Sequence, residues 1–395
     1  MMRTATIVAA LSLFACAEPV EFGLSVGRAA LDGDSVEISL SFMATYEDWQ
    51  PLADGGEDVV IRPIRRARFE VLAAGDELLA QGVTGDGGAA VVTFGGVAGE
   101  EIRVRILALS GRRDMTVAVR NDEYAIHAVE SAAVPADDEI EINVHADAAG
   151  AGGAFNIFDG VNSAVAGIVA RYGAVEGLDV VWTPGVPHPC GSCFLPWGGV
   201  MLVGGGDADP DQWDDSVILH ELGHWFEESL AATTNPGGAH DGVPTFPDMA
   251  WSEGFASFFG QALIGSPVYQ DSFGEGVWSM DLERMGGSNA WGTEDGALDG
   301  LVSENLVSAI LWDLFDDGEP EPHDNIAAGL FIVLDPAVDW LGAADFVDVG
   351  YDGVDLADYL IGWLVSGKGR WLSVAEIVAG RDYPYPFHAP PLPAP

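Results

Sequence analysis

Basic residues are scarce in this chain. Lys and Arg number 16 against 62 Asp and Glu, a net charge of −46, and Lys368 is the only lysine. A surface this negative repels phosphate backbones and anionic lipid, so no nucleic-acid partner is expected. Cysteine is nearly absent, with only Cys16, Cys190 and Cys193. A cysteine-based zinc site needs two pairs and is excluded. Long apolar runs are also missing. The segment from Ala5 to Ala15 is too short to span a bilayer as a stable helix, and no other stretch is long enough. No fixed-period repeat is present. Core material is ample: 48% of residues are hydrophobic, and 51 glycines supply turns and close backbone approaches.

The acidic surplus has two readings. One is a generally acidic composition that keeps the protein soluble and suits high salt. The other is calcium binding among Asp207, Asp209, Asp211, Asp214 and Asp215, although no EF-hand spacing supports it.

Arg3 followed by the apolar run reads as a signal-peptide core over residues 1–15. Leu13-Phe14-Ala15-Cys16 resembles the lipobox of bacterial lipoproteins, with Phe14 bulkier than usual. The resemblance implies a lipid anchor at Cys16, on the outer membrane or cell surface. Ala15-Cys16-Ala17 also fits an ordinary secretory cleavage site. Both place the mature protein outside the cytoplasm. In an oxidising compartment Cys190 and Cys193 are expected to form a small loop disulfide, because their Gly- and Pro-rich flanks do not suit a redox motif.

The fold class expected is α+β. Residues 16–145 read as a small β-sandwich: Ser35 to Phe42 and Arg103 to Leu107 alternate with period two, and Gly85-Asp86-Gly87-Gly88 is a turn. The stretch Ala67 to Leu72, then Leu79 to Gly88, resembles the immunoglobulin-like or transthyretin-like modules of secreted bacterial proteins. A small-residue run from Ala146 to Gly153 marks a change of character, and residues 146–395 form the expected second domain. Phe155, Phe158, Val161, Val165, Ile168 and Val169 recur at helical spacing.

The chemistry concentrates in Val217-Ile218-Leu219-His220-Glu221-Leu222-Gly223-His224-Trp225-Phe226. Asp209 and Pro210 read as the cap and first position of its helix, and Asn235-Pro236-Gly237-Gly238 lies beyond its end. Residues four apart share a helix face, so His220 and His224 can reach one ion. Imidazole suits zinc, and Glu221 stands beside that face as a base for a water molecule. A catalytic zinc needs a third protein ligand. The metzincin pattern fails, because Glu227 and Leu230 stand where its glycine and third histidine belong. His240 sits in a Gly- and Pro-rich loop. Glu253 is the better candidate: on the apolar helix Met249 to Phe259, its face carries Ala256, Ser257 and Gly260 and can pack closely on the His220 helix.

The His220–His224 motif followed by Trp251-Ser252-Glu253-Gly254-Phe255-Ala256 resembles the gluzincin metallopeptidases, of thermolysin and fungalysin type, in a bacterial lipoprotein. Ser303 to Asp316 and Gly353 to Leu360 fit the helices that follow. The resemblance spans about Phe155 to Leu364. It implies a two-lobed, mainly helical domain with Zn2+ in a cleft, bound by His220, His224 and Glu253. Glu221 would activate water against a protein or peptide substrate. Gly199 to Gly204 is the candidate edge strand for binding an extended peptide. Thermolysin-like members carry an aspartate four residues after the ligand glutamate, where this chain has Ser257. Gly198-Gly199-Val200-Met201-Leu202 lacks the glutamate of gluzincin aminopeptidases, which favours an endopeptidase. The oxyanion donor is open among His323, Tyr269, His240 and Tyr351. The protein is expected to be a monomer; the alternative function is a non-catalytic surface lipoprotein or binding module with a structural or vestigial zinc site.

Overall fold

The computed structural model describes residues 35–51, 57–111, 116–238, 240, 242–274, 276–284, 302–316, 326–348, 353–381 and 383. Cys16 with its apolar run, His323 and Tyr351 lie outside the described residues. The fold is α+β, and it divides into two compact units. Among the described residues, one takes 35–214 with 272–277 and the other takes 215–271 with 278–383.

The first unit is mostly strand. Its elements are β1 Ser35–Pro51, β2 Glu57–Pro63, β3 Ala67–Ala73, β4 Leu78–Val83, β5 Ala89–Val97, β6 Glu101–Ser110, β7 Val117–Arg120, β8 Ala128–Glu130, β9 Val134–Pro135 and β10 Glu139–Ala146. Helix α1 Gly152–Tyr172 follows, then β11 Leu178–Val181, β12 Cys193–Leu195 and β13 Val200–Leu202. One sheet runs β10-β1-β2, with β5 also on β1; the other runs β12-β13-β11-β7-β6-β3-β4, with β8 and β9 on β6. The period-two pattern becomes burial: Ile102, Val104, Ile106 and Ala108 of β6 are buried, as are Ile140, Ile142, Val144 and Ala146 of β10. Phe42 of β1 meets Phe69 of β3 edge-on, ring centroids 4.9 Å apart.

Helix α1 packs on this unit and is buried along most of its length, which is more than a one-sided helix needs. Its Asp159 is held by Arg65, Nε to Oδ1 2.8 Å, and by the Tyr46 hydroxyl at 3.3 Å. It is the one described helix long and apolar enough to cross a membrane, and 78% of that apolar window is buried in the protein.

Two expectations are corrected in this unit. The stretch around Val200 to Leu202 is not an edge: β13 pairs in parallel with β11 and antiparallel with β12, so both its sides are taken. A peptide cannot add to it. Asp209 and Pro210 do not open the motif helix. They precede a short 3-10 turn, Asp211–Trp213, and Asp214 (φ −96, ψ 88) breaks the helical path. The Asp214 carboxylate is taken by Ser272 N and Oγ at 2.9 and 2.6 Å, and that of Asp211 accepts from Ser192 at 2.5 Å. Cys190 and Cys193 form the expected disulfide.

The second unit is helical: α2 Asp215–Leu230, α3 Pro247–Ile264, then the hairpin strands β14 Val268–Phe273 and β15 Gly276–Asp281, whose tip belongs by contact to the first unit. α4 Glu304–Phe315, α5 Leu330–Pro336, α6 Leu356–Val365 and α7 Trp371–Gly380 complete it. Ser303 caps α4 by accepting from Asn305 N. Asp355 and Asp358 form a capping box at α6. A β-carbon at Gly254 of α3 would lie 2.6 Å from the Glu304 carbonyl oxygen, so α3 and α4 touch closely there.

Behind α4, Arg381 pairs with Asp313 (Nε to Oδ2 2.7 Å), while Glu283 is 6% exposed and its carboxylate accepts from Trp312 Nε1 at 2.8 Å. Burial first, and then the charge of Asp316, push the Glu283 carboxyl up to about 7. The folded chain therefore binds this proton more tightly than the unfolded chain, whose value is near 4.5. Stability contributed by the neutral carboxyl is full below 4.5 and is lost as pH rises towards 7. Glu283→Gln should flatten the melting temperature over that window and raise it at pH 8. A wild-type melting curve with the same slope as the variant's would refute this.

Candidate metal centre

Helix α2 carries His220 and His224 one turn apart, and α3 carries Glu253. The two helices meet through small residues. A β-carbon at Gly223 would lie 2.7 Å from the Ala256 Cα, and one at Gly260 would lie 3.1 Å from the His220 amide nitrogen. Each helix thus presents a glycine to the other's backbone. Phe226, Phe255 and Phe259 stack beside this seam, with ring centroids 5.2–6.1 Å apart.

The close approach brings three donor atoms together. His220 Nε2 is 3.2 Å from Glu253 Oε2, His224 Nε2 is 3.1 Å from the same oxygen, and the two imidazole nitrogens are 3.2 Å apart. A metal with bonds of about 2.0–2.1 Å to tetrahedral ligands has donor-to-donor edges of about 3.3–3.4 Å. The observed triangle is close to that size. Hydrogen bonding alone does not fill it, because two Nε2 protons and an ionised carboxylate can make at most two of the three sides hydrogen bonds. The residues fit a divalent cation.

The second nitrogen of each ring is also held. His220 Nδ1 is 3.1 Å from Ser257 Oγ, a contact that can orient the ring. His224 Nδ1 is 3.3 Å from Glu227 Oε2, and Ser252 Oγ donates to that same oxygen at 2.6 Å. Asn235 Nδ2 donates to Glu253 Oε1 at 2.9 Å, leaving Oε2 to face the histidines. Ser257→Ala is expected to weaken binding of a divalent metal about 10- to 100-fold, as outer contacts to metal histidines do. Competition with a chromogenic chelator reads this, and unchanged affinity would show that the hydroxyl does not hold the ring.

Electrostatics favour a cation. Burial opposes protonation of His224, but the charge of Glu253, hydrogen bonds that His224 donates to Glu227 and Glu253 and the charge of Glu221 outweigh it and raise His224 well above its ordinary value. Burial likewise opposes ionisation of Glu253, yet His224 and His220 hold it well below the usual carboxylate range. Burial pushes the Glu227 carboxyl up, although hydrogen bonds from His224 and Ser252 oppose this. Glu221 is buried at 8% exposure, one residue along α2 from His220.

His240 is also at the site. Its Nε2 is 3.3 Å from Glu253 Oε2, and its donor atoms with those of His220 and Glu253 all lie within 4.8 Å of one another. Two overlapping triads therefore share His220 and Glu253, and the one with His224 is tighter. Of the oxyanion candidates, Tyr269 packs edge-on against His220 at 6.2 Å between centroids, and His240 lies beside it. No protein-family model matches the chain, and no curated protein matches it.

Sequence reasoning missed Glu227 and Asn235. Glu227 carried a usable signal, since it lies three residues from His224 on the same face of α2. Asn235 carried none; it sits in a loop and is positioned by contacts across the fold.

Proposed function

We propose that this protein is a zinc-dependent endopeptidase of gluzincin type, acting on protein or peptide substrates outside the cytoplasm. The observation that carries this reading is the triangle of His220 Nε2, His224 Nε2 and Glu253 Oε2, with sides of 3.1–3.2 Å, whose two histidines stand on the helix that also bears Glu221. The paired strand layers linked by Phe42 and Phe69 serve as a small sandwich, and the helical unit is the catalytic one.

A zinc ion bound there supplies Lewis-acid polarisation of the scissile carbonyl and makes water more acidic. The chain's own residues do the rest. Glu221 accepts the proton of the attacking water and returns it to the leaving amine. Ser257 and Glu227 hold the two imidazoles in one tautomer and orientation, and Asn235 turns the Glu253 carboxylate. Tyr269, whose ring packs edge-on against His220, would be the donor to the developing oxyanion. The test is cleavage of an unfolded protein by the wild type and by Glu221→Gln, each with and without a zinc chelator.

A further inference from the structure

His240 brings a third imidazole to the centre. His220, His224 and His240 place their Nε2 atoms 3.2, 3.1 and 3.3 Å from one carboxylate oxygen, Glu253 Oε2. Each ring's Nδ1 meets a separate acceptor: Ser257 at 3.1 Å, Glu227 at 3.3 Å and Glu304 at 3.4 Å. That pairing of a metal-facing nitrogen with an anchored second nitrogen is how proteins hold metal-binding histidines. An incidental loop histidine requires neither half of it.

The loop is also tied down where it must be. Glu304 Oε1 accepts from Gly242 N at 3.0 Å, and Ser303 Oγ donates to the Gly242 carbonyl at 2.6 Å. Thr245 and Val302 exchange both backbone hydrogen bonds, at 2.8 and 2.9 Å. Gly242 has φ +82, and a β-carbon there would lie 2.4 Å from Asn305 Nδ2. The same carboxylate, Glu304, therefore fixes both the loop backbone and the His240 ring. The ring stays partly open, with 34% of its side chain exposed.

We propose that His240 is a fourth protein donor to the metal, making the centre three histidines and one glutamate. This rests on the metal-centre reading above and extends it. In the resting protein His240 then takes up coordination that a three-ligand hydrolytic centre leaves to water. A substrate or water enters either beside it or in its place.

X-ray absorption of the zinc-loaded full-length protein tests this by counting imidazoles. The expected result is three in the wild type and two in both His240→Ala and His240→Gln. Zinc Kd should rise at least about tenfold in each variant, with far-UV circular dichroism confirming the fold. Cobalt substitution gives a second readout, with the visible bands of the wild type shifting in the variants. Two imidazoles in the wild type would overturn the proposal while leaving the zinc centre standing. A wild type that takes up no stoichiometric zinc would overturn both. The wild-type spectrum decides the matter even where a variant fails to fold.

Discussion

Glu221→Gln is expected to lower cleavage of an unfolded protein by at least about 10²- to 10⁴-fold, the range that a positioned general base contributes. Zinc content should stay near one per chain. The side chain is isosteric, so packing along α2 is kept and only the proton acceptor is lost. Glu253 and Glu227 act on His224 more strongly than the charge of Glu221 does. A chelator should abolish wild-type cleavage, and added zinc should restore it. Full proteolysis by the variant would sink the mechanism. Stoichiometric zinc in a wild type that cleaves no unfolded protein would instead favour a structural centre, a reading that four protein donors would strengthen.

The parts of the centre that could be read in the sequence are those that depend on local periodicity. His220 and His224 are one helical turn apart, so their convergence follows from α2 being a helix. Glu253 needed one further step, the recognition that Ala256, Ser257 and Gly260 make a face narrow enough for another helix to approach. The structure bears that out at Gly223 and Gly260. Ser257 stood out only as a departure from an aspartate. A hydroxyl can accept from the ring N–H at 3.1 Å as an aspartate would, though without its charge. His240 could not be placed, because its position depends on Glu304, 64 residues away, and a Gly- and Pro-rich loop has no periodicity that reports such a contact. The same holds for β13. Its strand character shows in Val200-Met201-Leu202, but parallel pairing with β11 is a long-range choice that short apolar runs do not encode. The start of α2 was misread because Asp-Pro signals a turn of helix without specifying whether that turn continues.

Gly223→Ala should destabilise the protein and loosen the metal together. Two effects compete. Alanine is favoured over glycine in a helix interior by about 1 kcal/mol, and this substitution lies mid-way along α2. Against that, the new methyl would sit 2.7 Å from the Ala256 Cα, 3.0 Å from its Cβ and 3.2 Å from its carbonyl oxygen. A side chain could rotate away, but backbone cannot, so α2 and α3 must separate. Overpacking of this kind costs about 1–3 kcal/mol. It outweighs the propensity gain here because the clash is with main chain on a second buried helix. The separation acts along the line that sets the distance of His220 and His224 from Glu253, now 3.1–3.2 Å. A few tenths of an ångström is a large fraction of the tolerance of a metal bond. The variant should therefore melt at a lower temperature than the wild type with and without zinc, and bind zinc more weakly by chelator competition. Stability at or above wild type with unchanged zinc affinity would show that the close contact at Gly223 does not set the ligand spacing. In that case, the apolar packing of Phe226, Phe255 and Phe259 would have to hold the two helices in register instead.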